Sequence, residues 1–131
     1  MNSPPFLTSS LLVAAGGAVG SWLRFAIGRL LPTGIGGFPW ATLTVNVIGS
    51  FAMGLLAGWL ARDASGDGES WRLLLGVGLL GGFTTFSAFS LEVVRLAQRG
   101  TFGMAGLYML LSLGAGIGGL LLGLSAMRVA A

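Results

Sequence analysis

The 131-residue chain contains no cysteine and no histidine. Disulfides, thiolate metal sites and thiol redox chemistry are therefore excluded, together with the commonest metal ligand and the side chain that titrates near neutral pH. Lysine is absent as well, so the formal net charge of +3 comes from seven arginines set against four carboxylates. The arginines lie near the ends of apolar stretches and never form a run. A nucleic-acid partner is not indicated, and anchoring of helix ends at a membrane interface accounts for most of them. Charge of either sign is scarce, at 8% of residues, while 54% are apolar. No soluble domain of this size would carry such a surface, so the solvent is lipid. Nucleophile, base and metal ligand are found together nowhere, which removes an enzyme from consideration.

What is present is a series of long apolar stretches. At about 20 apolar residues per crossing the chain has room for four spans and little else. Residues 1–10 have neither a basic n-region nor a small-residue cleavage signal, so the first stretch is expected to remain as a span. That span is predicted over residues 8–31, closed by Pro32 and the cluster Gly34, Gly36 and Gly37. The second is predicted over 39–61, opening on Pro39, which a first helical turn accepts, and followed by the polar loop 63–70. The third is predicted over 71–98, with a break at 81–85, where two glycines and two β-branched threonines disfavour regular helix. The fourth is predicted over 102–127 and is rich in glycine. With four crossings both termini share a side.

Small-xxx-small spacings at Gly16/Gly20, Gly54/Gly58, Gly78/Gly82, Gly114/Gly118 and Gly119/Gly123 give each span a face that another backbone can approach. Four short helices enclose little volume, so a homo-oligomer, most simply a dimer, is expected. The side holding the termini has Arg62, Arg72 and Arg128, and the other has Arg24, Arg29, Arg95 and Arg99. This balance shows no clear positive-inside bias and allows insertion both ways, hence an antiparallel pair.

Polar side chains within spans are costly unless they face protein or water. Thr42, Thr44, Ser50 and Ser90 can each bond their own i−4 carbonyl. Asn46 cannot, and serves either a hydrated path or the packing of a partner helix. Phe83, Phe86 and Phe89 step by three along one predicted helix stripe beside Ser87 and Ser90. Core packing is the ordinary reading of such a stripe, but irregular backbone at membrane depth is tolerated only where it is buried in protein or lines a cavity. Unwound carbonyls at a symmetry axis would suit a small cation such as Na⁺, while amide and hydroxyl donors and the positive edges of phenyl rings suit an anion. Donors, ring edges and arginine without a buried carboxylate pair fit passive conduction of a small anion.

The segment Gly81-Gly82-Phe83-Thr84-Thr85-Phe86-Ser87-Ala88-Phe89-Ser90-Leu91-Glu92 resembles the signature of the Fluc fluoride channels, also called the CrcB family. The stretches from Gly16 to Arg24 and from Thr42 to Ser50 agree with it, and the resemblance covers essentially the whole chain. It implies an all-α membrane protein of four transmembrane helices with a broken third helix. It also implies an antiparallel, dual-topology homodimer in a bacterial cell membrane, the inner membrane in a Gram-negative cell, surrounded by lipid. The implied activity is passive export of toxic fluoride through two pores, with a structural Na⁺ at the dimer centre. By position, Phe86 and Phe89 look like the pore phenylalanines and Asn46 like the amide donor beside them. Tyr108 and Ser112 look like pore-lining hydroxyls, and Gly81 and Thr84 like the carbonyl ligands of Na⁺. Glu92 looks like the acidic end of a polar track that includes Ser87 and Thr42, and Arg24 like a vestibule arginine; an interfacial ion pair remains the alternative for both. Ala88 stands where many members carry threonine, which thins the hydroxyl track. The rival from another class is a small dual-topology multidrug antiporter, which needs a membrane-embedded carboxylate; the first helix has none and Glu92 is the single candidate. A non-transporting helper subunit would explain the glycine faces and leave the polar stripe unexplained.

Overall fold

The computed structural model describes residues 3–130, all helix, turn or irregular chain. Four helical segments are long and apolar enough to cross a membrane: Phe6–Leu30, Trp40–Leu60, Gly68–Gln98 and Phe102–Val129. The first is α1, the second α2 and the last α6; the third span is composite.

Each end has a local cause. Helix α1 follows Pro4-Pro5 and stops where Leu31 turns extended (φ −92°, ψ 115°), the conformation that the following Pro32 imposes. The chain reverses through a short 3₁₀ turn, Ile35–Gly37, in which Gly36 and Gly37 hold φ of 69° and 81°, the left-handed region that disfavours a side chain. Helix α2 opens after Pro39 and is tied at its far end by Arg62, whose guanidinium donates to the Met127 carbonyl of α6, one of the carbonyls that a helix C-terminus leaves without a partner.

The third span begins at Gly68 with one α-helical turn, α3 (Gly68–Trp71), and continues as a π-helical stretch, Arg72–Leu80. The wider coil is visible in the Gly81 N–H, which reaches back five residues to the Gly76 carbonyl. A last turn, α4 (Gly81–Phe83), precedes two extended residues, Thr84 (φ −81°, ψ 158°) and Thr85 (φ −151°, ψ 120°), and α5 (Phe86–Gln98) follows. The interruption is thus narrower than the expected 81–85. Gly81 keeps helical angles (φ −63°, ψ −38°), and the deviation falls on the β-branched threonines, for which extended backbone is intrinsically favourable.

The bundle is held by backbone approach at glycine. A side chain at Gly16 or Gly20 of α1 would run into the Leu74 or Leu79 carbonyl of the third span, and a Cβ at Gly78 would lie 2.9 Å from the Val13 carbonyl. Helices α2 and α6 meet in the same way, Gly54 against the Leu120 carbonyl and Gly123 against that of Phe51. In lipid there is no hydrophobic drive between helices, so this contact of small residues supplies the association. Gly114 and Gly118 differ: a Cβ at either would meet no neighbouring-helix atom within 4 Å among the described residues. At one end of the bundle a cluster of Phe38, Leu43, Leu96, Ala105 and Tyr108 is buried, with Val47, Phe89, Val93 and Met104 against it.

Candidate functional site

The two-residue interruption turns the face of the third span. Phe83 is buried beside Gly49 of α2, whereas Phe86, three residues on, is 78% exposed. The single stripe through Phe83, Phe86 and Phe89 is therefore not formed, because two extended residues carry the chain forward without the 100° rotation that each helical residue adds. Phe86 and Phe89 stay together in α5 with ring centroids 5.7 Å apart, and Phe89 lies 5.1 Å from Tyr108 of α6. Phe38 also packs on Tyr108, edge-on at 5.6 Å. Tyr108 itself is fully buried.

Asn46 secures the break from α2. Its Nδ2 donates to the Thr85 carbonyl at 3.1 Å, and its Oδ1 accepts from the Thr85 N–H at 2.8 Å. The amide has one N–H left for another partner. Thr85 in turn caps α5, its Oγ1 accepting from the Ala88 N–H at 3.2 Å and lying 3.4 Å from the Ser87 hydroxyl. Thr84 Oγ1 and Ser90 Oγ donate to the i−4 carbonyls of Leu80 and Phe86. Thr42 does not follow that pattern. Its Oγ1 donates to Glu92 Oε1 at 2.7 Å, and Tyr108 Oη donates to Glu92 Oε2 at 2.7 Å. Glu92 thus accepts one bond from each of the two neighbouring helices, so both oxygens of its carboxyl group are satisfied inside the bundle. Ser112, one turn from Tyr108, has a buried Oγ with no hydrogen-bond partner among the described residues, an unusual state for a buried hydroxyl.

Two clefts adjoin this row. One, of about 270 Å³, lies at the break between Asn46, Ser50, Met53, Thr84, Thr85 and Phe86. The other, of about 240 Å³, lies where Glu92 meets Arg95, Arg99 and the loop at Thr33. Arg24 is partly exposed and away from both linings. Among the described residues the ion pair formed is Arg72–Glu69 at 2.7 Å, so neither Arg24 nor Glu92 is held by one. Sequence reasoning missed Thr85, although a threonine opening a helix is the ordinary N-cap signal. It also missed Arg95 and Arg99, although their three- and seven-residue spacing from Glu92 places all three on one helix face.

The profile described as "CrcB-like protein, Camphor Resistance (CrcB)" matches residues 11–124. The chain belongs to the CrcB family. Among its relatives, the Novosphingobium aromaticivorans protein named fluoride-specific ion channel FluC is 60% identical over 126 residues, covering 93% of this chain and 98% of its own length. The Erythrobacter litoralis protein of the same name is 47% identical over 98% of each chain, and that of Hyphomonas neptunium is 52% identical over 87% of this chain and 91% of its own. With four apolar helices of spanning length and membership of this family, the chain is a multi-pass membrane protein.

Proposed function

We propose that this protein is a fluoride-selective channel, and not an enzyme, that lets toxic cytoplasmic fluoride leave a bacterial cell down its gradient through the inner membrane. The observation that carries this reading is the interrupted third span. Asn46 clamps Thr85, and the adjoining helix start presents Phe86 outward and Phe89 toward Tyr108. An anion stripped of water there would meet phenyl ring edges, the remaining amide N–H of Asn46 and the hydroxyls of Ser87 and Ser112. Tyr108, Thr42 and Glu92 continue the polar row from that point. The names of close relatives point to the same ion.

Two pores in an antiparallel homodimer complete the proposal. Its support is the face left open in one chain: Phe86, Leu110, Leu113 and Ile117 are exposed, and a Cβ at Gly114 or Gly118 would meet no atom of the described residues' other helices within 4 Å. A second copy would cover that face and give Phe86 a confined surrounding.

A structural Na⁺ at the dimer centre fits two carbonyls of the break. The N–H that would close a helical turn on the Gly81 carbonyl is that of Thr85, which goes to Asn46 instead. The corresponding N–H for the Thr84 carbonyl is that of Ala88, which goes to the Thr85 hydroxyl. Gly81 and Thr84 thus offer carbonyls without their helical donors, the hard oxygen ligands that a small cation takes. When bound, the ion would neutralise these dipoles and pin the break.

The test is fluoride efflux from liposomes holding the purified protein, with a potassium ionophore as shunt and chloride as comparison. Fast fluoride loss with little chloride loss, abolished in Phe86→Ile, is the expected result. Verified dimers that release no fluoride would end the channel reading.

A further inference from the structure

Where α5 ends, the loop between α1 and α2 folds against it and leaves the second cleft, walled by Thr33, Gly37, Pro39, Glu92, Arg95 and Arg99. Its walls carry a carboxyl group, two guanidinium groups and the Thr33 hydroxyl. Arg95 and Arg99 are one helical turn apart, a spacing at which like charges destabilise a helix. Neither is paired with a carboxylate among the described residues, and both oxygens of the nearby Glu92 accept from the Thr42 and Tyr108 hydroxyls. The loop makes room for the cations: Gly37 holds φ of 81°, and a Cβ there would lie 2.7 Å from Arg99 Nη1. The fold therefore keeps two guanidinium groups without an ion-pair partner among the described residues on the wall of a cleft that Glu92, the last member of the polar row, also lines.

We propose that this cleft is a collecting site for a small inorganic anion, in which Arg95 and Arg99 raise the local anion concentration at the Glu92 end of the pathway. The proposal rests on the channel reading and adds to it a second ion site made by residues of this chain. The same pair of guanidinium groups has the chemistry to hold a phospholipid phosphate, so the test separates the two sources.

Fluoride conductance is to be recorded in planar bilayers for the wild type, Arg95→Gln/Arg99→Gln and Arg95→Lys/Arg99→Lys, in neutral phosphatidylcholine and again with phosphatidylglycerol added. In neutral lipid at low ionic strength the glutamine variant should conduct roughly tenfold less, the low end of electrostatic focusing. The difference should shrink as fluoride rises, and the lysine variant should keep most of the wild-type conductance. Should the glutamine variant fail to fold, the wild type still decides the matter: added potassium gluconate should lower its conductance at low fluoride by screening the site. Equal conductance of the variants in neutral lipid, a difference confined to anionic lipid, or a wild type insensitive to gluconate would each overturn the proposal, the second by assigning the arginines to lipid headgroups. Broadening of the fluoride fluorine-NMR signal by protein in phosphatidylcholine nanodiscs, reduced in the glutamine variant, reads the site without conduction. A wild type that broadens the signal but conducts nothing would sink the channel reading and leave the site standing.

Discussion

Asn46 and Thr85 exchange two hydrogen bonds across the interface between α2 and the third span, at 3.1 and 2.8 Å. The pair imitates one rung of a β-ladder, with a side-chain amide in place of a second backbone. It satisfies both backbone groups of an extended residue at membrane depth, where unpaired groups cost several kcal/mol each. Asn46→Asp keeps the acceptor and loses the donor, setting a carboxylate oxygen against the Thr85 carbonyl. A loss of about 1–3 kcal/mol, read as lower thermal stability in detergent, is expected together with a large fall in fluoride efflux.

The phenylalanines on either side of the break should separate stability from conduction. Phe83 is 7% exposed, and Phe83→Ala removes a packed ring at a cost of about 3–5 kcal/mol, visible as a lower melting temperature. Phe86→Ile at the exposed position should leave monomer stability nearly unchanged and abolish efflux. Equal stability losses at the two sites would contradict the turned face.

The Glu92 triad should behave as one unit. Tyr108→Phe keeps the ring and strips one bond from the carboxylate; Thr42→Val strips the other. Each is expected to cost about 1–3 kcal/mol, and the double variant should depart from additivity by roughly 0.5–3 kcal/mol. A double-mutant cycle on thermal stability and on efflux measures this coupling, and strict additivity would argue that the two hydroxyls act independently.

Thr85→Val removes the α5 cap, and Thr85→Ser retains it. The difference between them should be about 0.5–2 kcal/mol, with the backbone clamp to Asn46 open to both. Chemical denaturation of the two variants in matched detergent checks the value.

Glycines inside the chain and glycines facing outward should respond differently. Gly20→Ala sets a methyl group into the Leu79 carbonyl and should prevent a folded monomer. A Cβ at Gly114 meets nothing within 4 Å among the described residues, so the Gly114→Leu monomer should fold while a dimer that packs on this face should dissociate. Cross-linking and size-exclusion chromatography distinguish these outcomes, and an intact Gly114→Leu dimer would move the interface elsewhere.

Much of the architecture was legible in the chain because lipid leaves few options. Apolar stretches of spanning length become helices, since every backbone group must find a partner within its own segment. Pro32 and Pro39 bracket the first turn for local steric reasons. The expected break at 81–85 rested in part on glycine, which lowers helix preference without forbidding a helix. Gly81 and Gly82 stay helical, Gly82 in close packing on Gly17, while Thr84 and Thr85 have an extended alternative that Asn46 stabilises. The π-helical stretch Arg72–Leu80 left no signal, being set by how the third span fits the glycine face of α1.

Composition and spacing thus determined, by themselves, the membrane setting, the four helices, the glycine contact faces and the list of polar groups needing partners. Only the tertiary structure decided who partners whom. It gave Asn46 to Thr85 and Thr42 and Tyr108 to Glu92, and it separated Phe83 from Phe86. The physical reason is that span formation is a local demand of backbone hydrogen bonds in lipid, whereas the partner of a polar side chain depends on the rotation and height of helices that glycine contacts set from distant parts of the chain.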